Sequence, residues 1–146
     1  MTLKRPLLLI VPILLIACSP APPTADANAA YLEKAASEPG AFRTSSGLIY
    51  RELRAGTGSS PIATDNVKVN YSGTLVNGKK FDSADNQRFP LNRVIPCWTE
   101  GLQRMKVGGK AQLVCPSSLG YGDQGSFPEI PGGATLIFEI ELLGIG

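Results

Sequence analysis

Trp98, the only tryptophan of the chain, begins the short run WTEGLQRM directly after Val-Ile-Pro-Cys. Leu102 and Met105 follow at i+4 and i+7, a spacing that places the three apolar side chains on one face of a helix. A tryptophan at such a spacing is often an ordinary core residue. A large flat ring at the start of a short helix also suits the floor of an apolar pocket, where a ligand is bound without covalent chemistry.

Side chains for covalent catalysis are scarce. The chain has no histidine, which excludes nucleophilic sites built on a Ser-His or Cys-His pair and every metal site that contains histidine. The three cysteines, Cys18, Cys97 and Cys115, form no CxxC motif, so a thioredoxin-like redox centre is excluded too. No basic block stands out, and nucleic acid is not expected as a partner.

Residues 1–17 have the pattern of a secretory signal peptide. Lys4 and Arg5 precede an apolar run from Leu7 to Ala17, which is too short to span a bilayer that needs about 20 residues. An uncleaved hydrophobic anchor is the alternative. The ending LIAC resembles the bacterial lipobox, which implies cleavage after Ala17 and a lipid on Cys18. We therefore expect a lipid-anchored protein on the periplasmic side of the cell envelope, at the outer membrane if Ser19 directs sorting there.

Residues 18–43 are predicted to form the lipidated tether and a short N-terminal helix. The stretch SPAPPTADANAA is dominated by proline, alanine and small polar residues, a composition typical of a disordered tether. The following AAYLEKAAS favours a helix that Pro39-Gly40 ends. Such a helix is too short to be stable in isolation.

Strand patterns dominate from about Thr44 onward. In NVKVNYSGTLV the side chains of Val67, Val69 and Tyr71 share one face, and GKAQLVC and ATLIFEIELL alternate in the same way. The dipeptide Asn77-Gly78 predicts a type I′ hairpin turn. The sequence thus predicts a single domain over residues 44–146 with an α+β fold, in which one short helix starting at Trp98 covers an antiparallel sheet.

An 18-residue loop, PSSLGYGDQGSFPEIPGG, separates the last two predicted strands. A loop of this length inside a compact domain is usually functional or disordered. Its aromatic and apolar residues, Tyr121, Phe127 and Ile130, favour a functional loop.

Three stretches, VNYSGTLVNGKKFDS, VIPCWTEGLQRMKVGGKA and YGDQG…IPGGATLIFEIELL, resemble the FKBP-type peptidyl-prolyl cis-trans isomerases in order and spacing. The resemblance covers roughly residues 47–146 and is greatest to bacterial envelope members, including the macrophage infectivity potentiator type. Those members often carry a long N-terminal dimerisation helix that is missing here, so a monomer is expected. The family fold is a twisted antiparallel sheet wrapped around a short helix, with a tryptophan as the floor of the pocket between them.

The resemblance implies the site residues. Trp98 becomes the pocket floor, the backbone N–H of Ile95 and the hydroxyl of Tyr121 donate to substrate carbonyls, and Asp82 acts near the twisting bond through Tyr71. The catalytic set is Asp82, Tyr71, Tyr121 and Phe138, and the substrate-binding set is Trp98, Phe81, Phe89, Val94, Ile95 and, from the long loop, Ile130. Without the resemblance, Phe81 and Phe138 could be core residues and Asp82 a turn cap. Two positions depart from the family: Cys97 replaces a glycine, and Ser126-Phe127 stand where many members have a histidine.

The implied activity is rotation about X-Pro bonds in folding envelope proteins, without a covalent intermediate, a cofactor or a metal. Proline-containing polypeptides are the expected partners, and a macrolide such as rapamycin is the expected inhibitor. A holdase-type chaperone or peptide-binding module that uses the same cleft is the alternative. Retention of the whole aromatic set together with Asp82 favours the enzyme.

Cys97 and Cys115 are left as an even pair once Cys18 is assigned to a lipid. The export signal places them in an oxidising compartment, where cysteine pairs tend to be joined. Cys97 lies at the start of the predicted helix, and Cys115 ends a strand whose Ala111 and Leu113 should face that helix. We therefore predict a Cys97–Cys115 disulfide; two buried free thiols are the alternative.

Overall fold

One sheet of six antiparallel strands forms the centre of the molecule, which is described by a computed structural model over residues 21–146. The spatial order of its strands is β1-β2-β5-β6-β3-β4. This confirms the predicted α+β class with an antiparallel sheet. The elements in chain order are α1 (Ala25–Ala36), β1 (Ala41–Arg43), β2 (Ile49–Arg54), β3 (Asn66–Leu75), β4 (Lys80–Pro90), a 3₁₀ turn (Leu91–Arg93), α2 (Pro96–Leu102), β5 (Lys110–Cys115), a second 3₁₀ turn (Ser117–Leu119) and β6 (Leu136–Ile145).

Helix α2 and the apolar face of the sheet form the main core. The predicted alternation along β3, β5 and β6 is confirmed, since the members expected on one face are buried together with α2. The helix begins at Pro96, two residues before the predicted start at Trp98, because proline fits the first turn of a helix, where its missing N–H costs no hydrogen bond. Trp98, Leu102 and Met105 are all buried against the sheet, as their spacing predicts.

The turn between β3 and β4 differs from the predicted type I′ hairpin. Gly78 has a positive φ of 86°, but Asn77 does not share that conformation, which a type I′ turn requires at both positions. The N–H of Gly78 donates to the carbonyl of Leu75, and the N–H of Leu75 donates to the carbonyl of Lys79. The loop therefore has three residues, and Asn77 instead accepts a hydrogen bond from the N–H of Lys79 through its side chain.

Helix α1 covers the second face of the sheet, which the sequence did not predict. Ala35 packs with Ile49, Val114 and Ile137 in a separate apolar cluster that Tyr31 and Leu32 also join. The helix begins at Ala25, inside the stretch predicted to be a disordered tether, and Thr24 caps it by accepting a hydrogen bond from the N–H of Ala27. Docking against the sheet explains how a helix too short to be stable alone is held.

The sheet also begins earlier than expected, because β1 pairs with β2 from Ala41 onward. Cys18 and the predicted signal peptide lie outside the described residues. Between residues 21 and 146, none of the helices combines the length and the apolar character needed to cross a bilayer.

The predicted disulfide is present and joins α2 to β5. The Cα atoms of Cys97 and Cys115 lie 5.9 Å apart, within the range that a disulfide spans without backbone movement. Both residues are fully buried in the main core. The link therefore fixes the start of α2, next to Trp98, to the centre of the sheet.

Candidate active site

A pocket of about 450 Å³ opens between α2 and the sheet, on the face opposite to α1. It collects side chains from β3, β4, β6, the segment before α2 and the long loop. Its lining consists of Tyr71, Phe81, Asp82, Phe89, Arg93, Val94, Ile95, Trp98, Tyr121 and Phe138. The structure thus brings together every residue of the predicted catalytic set and all of the predicted substrate-binding set except Ile130.

Trp98 forms the aromatic floor of this pocket and is 5% exposed. Three rings meet its indole edge to face, with centroid distances of 4.9 Å to Tyr71, 5.4 Å to Phe89 and 5.4 Å to Phe138. Such T-shaped pairs are the favoured geometry of aromatic side chains. The indole Nε1 has no hydrogen-bond partner among the described residues. The floor therefore offers a substrate a rigid apolar surface.

A bulge in β4 lets two neighbouring residues reach the pocket. Gly73 pairs with Asp82 and Thr74 pairs with Lys80, so Phe81 is the extra residue of β4. In a regular strand Phe81 and Asp82 would point to opposite faces, whereas a bulge redirects a side chain. Phe81 and Asp82 thus contribute one apolar and one charged wall.

Tyr71 and Asp82 form the polar centre of the site. The Tyr71 hydroxyl donates a hydrogen bond of 2.7 Å to Oδ2 of Asp82. Burial raises the pKa of Tyr71 above its ordinary value, and the hydrogen bond and the negative charge of Asp82 raise it further. Tyr71 therefore stays a hydrogen-bond donor throughout the neutral range and fixes the carboxylate at the pocket wall.

Two hydrogen-bond donors at the pocket are free to meet a ligand. Within residues 21–146 neither the backbone N–H of Ile95 nor the hydroxyl of Tyr121 has a hydrogen-bond partner. Ile95 precedes α2 with an extended backbone, and its carbonyl accepts from the N–H groups of Trp98 and Thr99. Tyr121 extends from the long loop and is 42% exposed. These donors suit two carbonyl groups of an extended peptide that lies over Trp98.

Ile130 does not line the pocket in this structure, and its place in the substrate-binding set stays a prediction. Its N–H and C=O both pair with Ser126, at 2.9 Å and 2.8 Å, so this part of the loop is a small two-stranded bridge. The bridge directs the Ile130 side chain into the main core, where it is 5% exposed. Phe127, which is 75% exposed at the tip of the same loop, does not line the pocket either.

Arg93 also lines the pocket, although the sequence does not predict it there. It lies two residues before Ile95, at the end of the 3₁₀ turn, and its side chain is exposed. The aromatic pattern that identified the other walls carries no signal for a charged residue at this position. Only its place immediately before the Val-Ile-Pro step could have suggested a contact with the pocket.

Residues 58–143 match the sequence model of a family described as FKBP-type peptidyl-prolyl cis-trans isomerase. The FKBP-type peptidyl-prolyl cis-trans isomerase FkpA of Aeromonas hydrophila is 50% identical over 119 residues, which cover 79% of this chain and 44% of that protein. This chain therefore spans less than half of the length of that relative.

Solved structures agree with this match. The crystal structure of FkpA from Escherichia coli superposes with a TM-score of 0.78 at 46% identity, over 83% of this chain and 60% of that one. A peptidyl-prolyl cis-trans isomerase structure from Pseudomonas syringae gives a TM-score of 0.79 at 37% identity, over 88% of this chain and 99% of that one.

Proposed function

The chain belongs to the FKBP-type peptidyl-prolyl cis-trans isomerase family, and we propose that it accelerates cis-trans isomerisation of X-Pro bonds in polypeptides. The observation that carries this proposal is the pocket itself. Three features meet in a pocket of about 450 Å³: an aromatic floor at Trp98, a Tyr71–Asp82 hydrogen bond of 2.7 Å, and two donors that have no partner within residues 21–146.

A catalyst of this rotation need not break a covalent bond, but it must provide an environment that favours the twisted amide. Rotation about a peptide bond faces a barrier of about 18–20 kcal/mol, and X-Pro bonds exchange in tens to hundreds of seconds. In the twisted amide resonance is lost, so the group is less polar than the planar amide. A pocket lined by aromatic rings replaces water around the amide and therefore favours the twisted form over the planar one.

In the proposed mechanism, different residues of the pocket have different roles. The proline ring stacks on Trp98, while the Ile95 N–H and the Tyr121 hydroxyl bind carbonyls on the two sides of the bond and hold the peptide in place. Asp82, held by Tyr71, shapes the electrostatic field near the twisting carbonyl. Phe81, Phe89, Val94 and Phe138 exclude water from the bond. The proposed reaction breaks no covalent bond.

Proline-limited refolding tests this function. Residues 21–146 at micromolar concentration should raise the rate of the slow refolding phase of a substrate protein, and rapamycin should block the effect by filling the pocket. Trp98→Leu should reduce the free energy of rapamycin binding by more than it reduces the free energy of unfolding. A folded domain that gives no acceleration would overturn the enzyme and favour the alternative of a holdase or peptide-binding module.

We also propose that residues 1–17 are removed on export and that Cys18 carries a lipid on the periplasmic side of the envelope, at the outer membrane. The support is the LIAC sequence after a short apolar run. Six residues separate Cys18 from Ala25, a length that could span at most about 20 Å between the lipid and the docked helix. Labelled fatty acid should enter the wild type and not Cys18→Ser; equal labelling would reject the proposal.

The anchored chain is proposed to act as a monomer, with residues 44–146 forming the isomerase domain. Light scattering of residues 21–146 at several concentrations should give the mass of one chain. A concentration-dependent rise to twice that mass would contradict it.

A further inference from the structure

Arg93 carries a positive charge at the edge of a pocket whose lining has one other charged group. Within the described residues its guanidinium forms no hydrogen bond and no ion pair. The other charged lining residue, Asp82, is engaged by Tyr71 at 2.7 Å. A ligand that enters the pocket therefore meets a carboxylate that Tyr71 holds in place through one of its oxygens, and an arginine that has no partner among the described residues.

The position of Arg93 places this charge beside the path of a bound peptide. It lies two residues before Ile95, whose free N–H we assign to a substrate carbonyl, and Val94 between them also lines the pocket. The side chain is exposed and long, so it can follow a flexible peptide without strain. Charges at the rim of a binding site act on partner choice and encounter rate more than on total affinity.

We propose that Arg93 is a specificity-determining residue that selects polypeptides with an acidic side chain within two residues of the proline. This inference rests on the proposed function, because it assumes that a proline peptide occupies the pocket. The guanidinium binds the substrate carboxylate in planar, bidentate geometry, which lysine does not provide. Substrates with lysine at the same position are disfavoured by repulsion from Arg93.

The test uses the full-length chain in detergent and peptides that differ only in Glu, Gln or Lys at each of the four positions flanking one proline. At low ionic strength the Glu peptide should have a kcat/KM about 3- to 10-fold above the Lys peptide at one or more positions. The ratio should fall towards one in about 1 M salt, where the screening length is near 3 Å. The difference should appear mainly in KM, since the carboxylate is bound in the ground state and the transition state alike.

Arg93→Gln should remove the preference, and Arg93→Glu should reverse it towards the Lys peptide. Arg88→Gln is the matched control, because Arg88 is an exposed arginine on β4 that does not line the pocket. It should keep the wild-type preference. A preference that survives Arg93→Glu, or one that Arg88→Gln removes equally, overturns the proposal.

Peptide binding, followed by the fluorescence of Trp98, separates this inference from the proposed activity. If no peptide is turned over but Glu peptides still bind more tightly through Arg93, the charge selection stands and the enzyme does not. If all peptides are turned over and bound equally, the enzyme stands and the selection by Arg93 is wrong. Absence of both binding and turnover overturns the two together.

Discussion

Tyr71 links the floor of the pocket to its charge. The ring centroids of Tyr71 and Trp98 lie 4.9 Å apart, and the Tyr71 hydroxyl donates to Oδ2 of Asp82 at 2.7 Å. One side chain therefore sets both the apolar surface and the position of the carboxylate. Removing the hydroxyl alone separates these two contributions, since phenylalanine keeps the ring.

Tyr71→Phe should lower kcat/KM by roughly 3- to 10-fold, because a hydrogen bond of this kind is worth about 0.5–1.5 kcal/mol. The unfolding temperature should hardly change, since the aromatic packing is kept. Asp82→Asn should show a similar loss. Because the two groups act as one unit, the double variant should be no worse than the poorer single variant. Fully additive losses would show that the two residues act independently.

The pH dependence of the activity follows from the raised pKa of Tyr71. Burial and then Asp82 favour the protonated hydroxyl, so the folded protein keeps this donor as the pH passes the ordinary tyrosine value of about 10. This group should therefore leave the free energy of unfolding unchanged below about pH 10, and that free energy should fall as the pH rises from there towards the higher folded pKa. The ratio of wild-type to Tyr71→Phe activity should therefore stay constant from pH 7 to pH 10. A ratio that falls to one with a midpoint near 10 would contradict this.

Strand β3 shapes the pocket through the absence of a side chain at one position. A Cβ added at Gly73 would lie 2.6 Å from Cζ of Phe81 and 2.8 Å from Cε1 of Phe138. These two rings pack edge to face with centroids 5.5 Å apart and form one wall of the site. Glycine at this point of the strand is thus required by the close approach of both rings.

Gly73→Ala should displace this aromatic pair and weaken rapamycin binding, followed by the fluorescence of Trp98. Overpacking of this kind costs about 1–3 kcal/mol of stability. Gly144→Ala in β6 is the matched control, because a Cβ there meets nothing within 4 Å. Equal effects of the two substitutions would show that the loss comes from the strand and not from the pocket wall.

Helix α2 is held to β5 by the Cys97–Cys115 bond. The bond closes a loop with a sequence separation of 18, for which chain entropy predicts about 3 kcal/mol of stability. The variant with both cysteines changed to alanine should lose about this amount in urea unfolding. Chemical reduction of the wild type should give the same loss, and because both residues are fully buried it should proceed only as the protein unfolds. Two reactive thiols in unreduced, unfolded protein from the periplasm would show that the bond is absent.

The sequence predicted the elements whose apolar residues follow one regular period. The alternation in β3 and β6 and the Trp98, Leu102, Met105 spacing each mark a face buried against a single partner, and the pocket lies between those faces. The bulge at Phe81 and the three-residue turn at Gly78 were not predictable in this way, because both depend on backbone conformations that tertiary packing selects.

The sequence does indicate that the second sheet face is buried, because some strands contain consecutive apolar residues where simple alternation would place polar ones. Val114 stands between Leu113 and Cys115, and Ile137 between Leu136 and Phe138. Apolar residues on both faces of a strand indicate that both faces are covered. The cover is α1, whose own composition is rich in alanine and gives only a weak amphipathic pattern.

At the scale of the whole molecule, α1 is joined to the sheet by a buried polar contact as well as by apolar packing. The Asn28 side chain donates to the carbonyl of Thr24 at 3.0 Å and accepts from the N–H of Thr135 at 3.0 Å. Thr135 immediately precedes β6, and both Asn28 and Thr135 are buried. Asn28 thus connects the start of the chain's described part to the strand that carries Phe138.

Asn28→Ala should lower the free energy of unfolding by about 1–3 kcal/mol, because the buried N–H of Thr135 loses its partner. Activity should stay within twofold of the wild type, since α1 lies on the sheet face opposite to the pocket. Asn66→Ala is the control: Asn66 is exposed, and its side chain has no hydrogen bond among the described residues. Urea unfolding and proline-peptide turnover measure the two quantities separately. A loss of turnover without a loss of stability would show that α1 is coupled to the pocket through the sheet, and unchanged stability would show that α1 is not docked in solution.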